Sequence, residues 1–423
     1  MTRCIVIGFV AVYFTLATTV RAFEVKDMAS KFTVDSRTTY FFRPIDGDVA
    51  TTNLRLLVDW RNVKLTRGLY LTAEGYARHT TDGTTELTFR RAADDQVRQP
   101  SFGFDNLRLD VTTDILPSLR RALGVGRLSV GWLEPEWGRT DRIQPTNLLA
   151  AYDYTDVTLD DRRVSQLGAQ AKWAFSEKRY TVEFDYFPGF TPSRISNRGA
   201  WGVRVPAGVT FHRQLPTSVG GSQQVGFRGC YVADFQACFM AMTGRDHMFF
   251  ARPSANDPTV IEFVYPRLRG YGGDFQYLLP WNLMYRLEGV YRDYDGRVAQ
   301  DYAEVATSLE RIWPGSELYT LVQYVRQVPK VTDATDLHRA FSDAVFGRVG
   351  YGDESHGWYG QLEGAVNFDP VAYIIEATVS GPVWVEQLRF RLGLRLIDGN
   401  EKNLIGARFK DNDGLFFDLT WRP

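Results

Sequence analysis

Apolar and polar residues alternate along much of this chain with a period of two. The clearest run is 388–396, where Leu388, Phe390, Leu392, Leu394 and Leu396 share one parity and Arg389, Arg391, Gly393 and Arg395 hold the other. Successive side chains of a strand face opposite sides, so this run reads as a strand with one apolar and one charged face. A helix would scatter the three arginines around its surface. Leu54, Leu56, Val58 and Trp60 alternate in the same way with Arg55, Leu57, Asp59 and Arg61, and Leu107, Leu109 and Val111 with Asn106, Arg108, Asp110 and Thr112. The segments 166–175, 182–186, 281–292 and 415–421 repeat the pattern.

Three features of these runs point to a membrane barrel rather than a soluble sandwich. Several last about 9–11 residues, the length a tilted strand needs to cross a bilayer, whereas soluble strands are nearer 5–6. Aromatics gather at their ends, at Tyr40 and Phe42, Trp173 and Phe175, Tyr291 and Tyr294, and Trp421, as interfacial girdles require. The second parity carries both signs of charge, which a dry core could not accept. The predicted fold class is therefore all-β, a single antiparallel transmembrane β-barrel. At roughly 25 residues per strand with its share of loop, about 16 strands are expected, within a range of 14–18. Asp398-Gly399-Asn400, Asp411 to Gly414 and Asp293 to Gly296 read as hairpin turns. Long connections are expected at about 135–163, 188–222 and 329–342, with short helices at 115–123 and 336–345.

The N-terminus has a different pattern. Arg3 precedes an apolar run from Cys4 to about Val20, closed by Val20-Arg21-Ala22, which reads as a signal peptide spanning 1–22 and cut after Ala22. Residues 23–423 would then form the barrel. Beyond Ala22 no apolar stretch approaches the 18 residues of a membrane helix. With 49 Lys+Arg against 50 Asp+Glu the chain has no basic excess, so nucleic acid is not indicated as a partner. Cys230 and Cys238 are the only cysteines after the leader. If 229–240 is a hairpin turning near Asp234 they face each other, either as a disulfide or as two free buried thiols.

Residues for catalysis are sparse. The five histidines form no HExxH pair, there is no GxSxG elbow, and no His/Cys set has zinc spacing. Ser355-His356 are neighbours in a polar stretch, and Gly124-Val125-Gly126 lacks the third glycine of a dinucleotide loop. No catalytic, cofactor or metal site is assigned, and no enzyme activity is expected. The segment 131–157 stands out as too rich in Trp, Pro and charge for a plain surface loop. Trp137, Arg139, Asp141 and Arg142 are candidates for a pore constriction in which fixed charges select solutes. The competing reading is that they pair with one another and hold the loop to the wall. Arg389, Arg391 and Arg395 form a candidate basic ladder in the lumen, favouring anions if unpaired.

The stretch from Trp137 through Asp141, Ile143, Pro145 and Asn147 resembles a WGxxDxIxPxN segment of a large, poorly characterised group of proteobacterial outer-membrane barrels. That group is porin-like and distantly similar to alginate-export channels. Tyr186 to Arg194, Tyr265-Pro266-Arg267 with Gly272 to Phe275 and Tyr285 to Glu288, and 399–413 resemble further motifs of the group, in the same order. The resemblance implies a bacterial outer-membrane location, with outer-membrane lipid, the barrel-assembly machinery and a small solute as partners. Such barrels end in an aromatic residue; here Trp421 stands inboard of Arg422 and Pro423. The expected function is a porin-like channel or exporter for small, anionic solutes. The alternatives are an outer-membrane partner of an inner-membrane lipid or drug efflux transporter, an outer-membrane enzyme, and a structural barrel with a closed lumen.

Overall fold

The computed structural model describes residues 32–422 except 46–47, 81–100, 116–117, 119, 121–123, 155–162, 176–178, 196–208, 217–218, 258, 296–298, 330–339, 354–356, 404 and 406–408. The leader at 1–22 and the Ser355-His356 pair lie outside the described residues. Eighteen strands form one sheet that closes on itself. They are Phe32–Ile45, Asp48–Thr66, Leu69–Thr80, Ser101–Thr112, Val125–Leu133, Gln166–Phe175, Tyr180–Phe187, Gln224–Val232, Phe235–Arg245, Arg267–Leu279, Leu283–Asp295, Tyr302–Ile312, Leu318–Val328, Asp343–Gly352, Tyr359–Phe368, Val371–Val383, Val385–Gly399 and Gly414–Trp421. Each pairs antiparallel with its neighbours, and the ring is sealed where Val34–Phe41 of the first strand meets Gly414–Trp421 of the last. Closure leaves no edge, the condition for a sheet to cross a bilayer.

The strand count corrects the expectation of about 16 to 18, the top of the expected range. The hairpins are more closely spaced than the assumed 25 residues per strand. At one end the connections are tight, as at Ala233-Asp234 between Gln224–Val232 and Phe235–Arg245. The long connections 134–165, 188–223, 246–266 and 400–413 all lie at the other end, which in barrels of this kind faces outward from the cell. Three local expectations are also corrected. Trp281 is not in a strand but in the turn Pro280–Asn282, with φ 64°. Asp343 to Val345 begin a strand rather than end a helix. Asp398-Gly399 belong to a strand whose following connection runs to Asp413; of the helix expected at 115–123, Ser118 and Arg120 are helical and 116–117, 119 and 121–123 lie outside the described residues.

The two parities separate as the alternation predicts. Leu109, Val130, Phe184, Phe239, Val322, Leu362, Leu392 and Phe417 face outward and form an exposed apolar belt. Asp110, Asp185, Gln224, Asp274, Glu288, Glu304, Gln323 and Arg395 face inward and are buried. No helix among the described residues is long and apolar enough to cross a membrane; the chain crosses with strands.

Two of the long connections fold back into the barrel. Leu148, Leu149 and Trp137 of 134–165 pack with Phe187, Met240, Met242, Leu268 and Val290 of the inner wall. Ile405 and Phe409 of 400–413 pack against Phe41, Ala372 and Ile397. A three-stranded sheet of Thr210–Gln214, Phe250–Pro253 and Val260–Val264 stands over the mouth with its own aromatic cluster.

Candidate functional site

The strand Val125–Leu133 ends on Leu133, and the chain then turns into the lumen. Trp137 is fully buried, and its indole Nε1 donates to Glu183 Oε1 at 3.1 Å and Asp185 Oδ2 at 3.0 Å. Gln170 Nε2 donates to the same two carboxylates at 2.9 and 2.8 Å. The wall is shaped to admit this segment. A Cβ on Gly226 would lie 2.4 Å from both Trp137 Cη2 and Leu149 Cδ1, and one on Gly270 would lie 2.1 Å from Leu148 Cδ1. Glycine is the residue that lets a loop approach a strand this closely.

Beyond Trp137 the loop crosses to the far wall. The carboxylate of Glu288, fully buried, accepts five hydrogen bonds from it. They come from the backbone N–H groups of Arg139 and Thr140, the Thr140 hydroxyl at 2.9 Å, the Thr146 N–H at 3.3 Å and the Thr146 hydroxyl at 2.8 Å. Gln323 clasps the next turn, accepting from Arg142 N–H at 2.9 Å and donating to the Ile143 carbonyl at 2.7 Å. Ile143 packs against the wall cluster of Ala306, Val325, Ala344, Phe346 and Ala365.

The loop tip carries a balanced charge cluster. Arg142 pairs with Glu363, and Arg348 bridges Glu363 at 2.9 Å and Asp141 at 3.0 Å. Arg139 is less well satisfied. Its Nε lies 3.8 Å from Asp274, which already holds Arg228 at 2.6 Å. Burial, and then the positive field of Arg228, lower the Arg139 guanidinium from its ordinary value.

All four candidate constriction residues thus lie in one segment inside the barrel. Trp137 serves as an anchor, Asp141 and Arg142 are tied to the wall, and Arg139 is the most exposed of the four, 3.8 Å from Asp274. The basic ladder faces the lumen but is not bare. Arg391 Nε lies 2.9 Å from Asp418, Arg395 Nη2 2.6 Å from Glu376, and Arg389 donates to the Gly357 carbonyl at 2.9 Å. Cys230 and Cys238 are bonded to each other and are register partners near the tight-turn end. Among the described residues no set of three His, Cys, Asp or Glu could hold a metal ion. Sequence reading did not single out Glu288, Gln323 or Arg348 as site residues. The one local trace of the site is glycine at lumen-facing positions of strands otherwise rich in large side chains.

No protein-family profile and no curated protein matches the sequence. Solved structures do. OccK2 (OpdF) of Pseudomonas aeruginosa, determined in complex with glucuronate, aligns with a TM-score of 0.51 at 9% identity, over 92% of this chain and 95% of that one. The outer membrane protein opdK from the same organism gives 0.50 at 11% identity, over 92% and 98%. Wzi, an outer-membrane protein involved in group 1 capsule assembly in Escherichia coli and described as a carbohydrate-binding β-barrel, gives 0.50 at 12% identity, over 94% and 86%. At these identities the likeness is one of fold. Together with the closed ring of 18 strands and its apolar belt, it makes the chain a closed antiparallel β-barrel of the bacterial outer membrane.

Proposed function

We propose that this barrel is a porin-like channel for small solutes that favours anions, with 137–143 as its constriction. The supporting observation is the 134–150 segment itself, which spans the lumen and is pinned to the opposite wall by Glu288, Gln323 and Glu363. A constriction of this kind sets pore size and places fixed charges where a solute must pass.

The preference for anions rests on how the ion pairs are oriented. Arg127 is 37% exposed while its partner Asp110 is 2%; Lys172 is 45% and Glu183 12%; Arg139 is 38% and Asp274 0%. The carboxylates are buried in the wall and the cations stand in front of them, so a charge-balanced lumen still presents positive charge to a solute. Solute class beyond charge rests on the fold neighbours alone, and the likeness to alginate-export channels on sequence motifs alone. A charged lining gives less support to a tunnel for lipids or drugs than to a path for hydrated solutes. The leader 1–22 would be removed on export, which N-terminal sequencing of the membrane-inserted protein tests.

Planar-bilayer recording tests the function. The purified barrel is expected to show discrete conductance steps, and a reversal potential in a salt gradient that reports anion over cation permeability. Absence of steps at any protein concentration would sink the channel reading, and a cation-selective reversal potential would sink the charge reading alone.

A further inference from the structure

On the outer face of the barrel, toward the mouth, the side chains of three adjacent strands are layered by depth. Phe239 belongs to the apolar belt, and above it Tyr271 and Tyr291 are register partners, each 47% exposed. Two residues nearer the mouth, the same parity carries Thr243, Arg269 and Asp293 in register; two further on it carries Arg245, Arg267 and Asp295. The parity is fixed from inside. Leu268 is buried in the lumen packing and Gly270 faces Leu148 of the docked loop, so Arg267 and Arg269 point outward and are exposed. At a rise of about 3.4 Å per residue, the two charged rows stand about 7 and about 14 Å beyond the tyrosines along the strands.

The upper row sets two cations side by side. Arg245 and Arg267 are direct register partners, and like charges opposite each other on adjacent strands are destabilising. Arg245 is nonetheless held in place, its Nε donating to the Gly221 carbonyl at 2.6 Å and its Nη1 to the Tyr265 carbonyl at 2.5 Å. The charged group that acts on it is Arg267. The carboxylates lie to the other side. Asp293 is 3.7 Å from Arg269, and Asp295 flanks Arg267 from the far strand without an ion pair among the described residues. Three guanidiniums thus meet two carboxylates, and the unbalanced charge sits at the Arg245–Arg267 pair.

We propose that Arg245, Arg267 and Arg269 bind a phosphate of the phosphorylated glycolipid in the outer leaflet of the membrane. The long connections mark this end as the outward one, so the leaflet at this level is the outer leaflet. Tyrosine settles where acyl chains meet head groups, which puts the next two rows at the depth of the head-group phosphates. Guanidinium groups bind phosphate oxygens through paired, charge-assisted hydrogen bonds. A doubly charged group between Arg245 and Arg267 turns their repulsion into a bridge. Thr243 adds a hydroxyl beside Arg269, and the acyl chains run down over Tyr271, Tyr291 and Phe239. The lumen takes no part, so this inference does not depend on channel activity.

Native mass spectrometry of the delipidated barrel, offered diphosphoryl lipid A and its fully dephosphorylated form, tests it. EDTA is included so that no divalent cation bridges Asp293 or Asp295 to the phosphates. The wild type is expected to retain the phosphorylated lipid in preference by about tenfold, and millimolar inorganic phosphate is expected not to displace it. Arg267→Gln with Arg269→Gln changes two exposed side chains and leaves the carbonyl bonds of Arg245 in place. It is expected to abolish the preference, with the heat-modifiable mobility of the folded barrel unchanged. Equal retention of the two lipids by the wild type would overturn the proposal, as would an undiminished preference in the folded double variant. Displacement by inorganic phosphate would overturn it in favour of a free-anion site. If the variant does not fold, the wild-type preference decides alone.

Discussion

Every donor that the Glu288 carboxylate accepts from comes from the 139–146 segment, so this one wall residue holds the loop by its backbone and hydroxyls together. Removing it leaves several buried donors without acceptors, and each unsatisfied buried group costs about 1–3 kcal/mol. Glu288→Ala is accordingly expected to weaken docking of the loop by about 2–4 kcal/mol, with the freed N–H groups turning to water. Single-channel conductance should rise, and trypsin should cut after Arg139 or Arg142, bonds that are protected in the wild type. The barrel strands should survive. Gly226→Val tests the same docking from the steric side, because the added carbons compete with Trp137 and Leu149 for one place. It is expected to give the same tryptic cuts; protection equal to the wild type would show that the loop is held without the close approach.

At the scale of elements, the hairpin Gln224–Val232 and Phe235–Arg245 is tied twice, by its ladder and by the Cys230–Cys238 bond across adjacent strands. A disulfide closing so short a loop removes about 2–3 kcal/mol of unfolded-chain freedom by the chain-entropy argument. Reduction, or Cys230→Ser with Cys238→Ser, is expected to lower the temperature at which the folded band is lost on an unboiled gel, without abolishing folding. Strands were the most legible elements in the sequence. Gln166–Phe175 is bounded as its alternation predicts, because a wall between lipid and water imposes a strict two-residue period. Turn-borne residues were less legible. Trp281 continues the apolar parity of its run and so reads as a strand residue, yet it sits at the turn between Arg267–Leu279 and Leu283–Asp295. A strand and a tight turn at the membrane interface both favour an aromatic there.

For the molecule as a whole, the lumen works as two opposed surfaces, a docked loop and the wall that faces it. Arg55 lies over Tyr76, and Arg194 of an outer connection reaches the Tyr76 hydroxyl at 3.0 Å, so the mouth is also bridged from one side to the other. The positive face proposed to select solutes includes Arg127 and Lys172, direct register partners on adjacent strands. Arg127→Glu with Lys172→Glu is expected to move the reversal potential toward cation preference, an effect that weakens at high salt as screening shortens the range of the field. An unchanged potential would assign selectivity to the loop tip instead.

The sequence by itself determined that this chain makes strands with one apolar and one charged face, and hence that it closes into a membrane barrel. Those properties follow from neighbours two residues apart, which any reading of the chain can see. It also marked 131–157 as unusual, because Trp, Pro and charge are concentrated there. Only the tertiary structure decided where that segment goes and what it does to the lumen. Trp137 meets Asp185, Thr140 meets Glu288, and Arg142 meets Glu363 only because ring closure brings distant strands around the same space. The arginine ladder shows the same division. Its shared face is written in the period of 388–396, but its partners Glu376 and Asp418 lie on the adjacent strands and were set by register. Whether a buried charge is paired depends on those neighbours, which no local pattern contains.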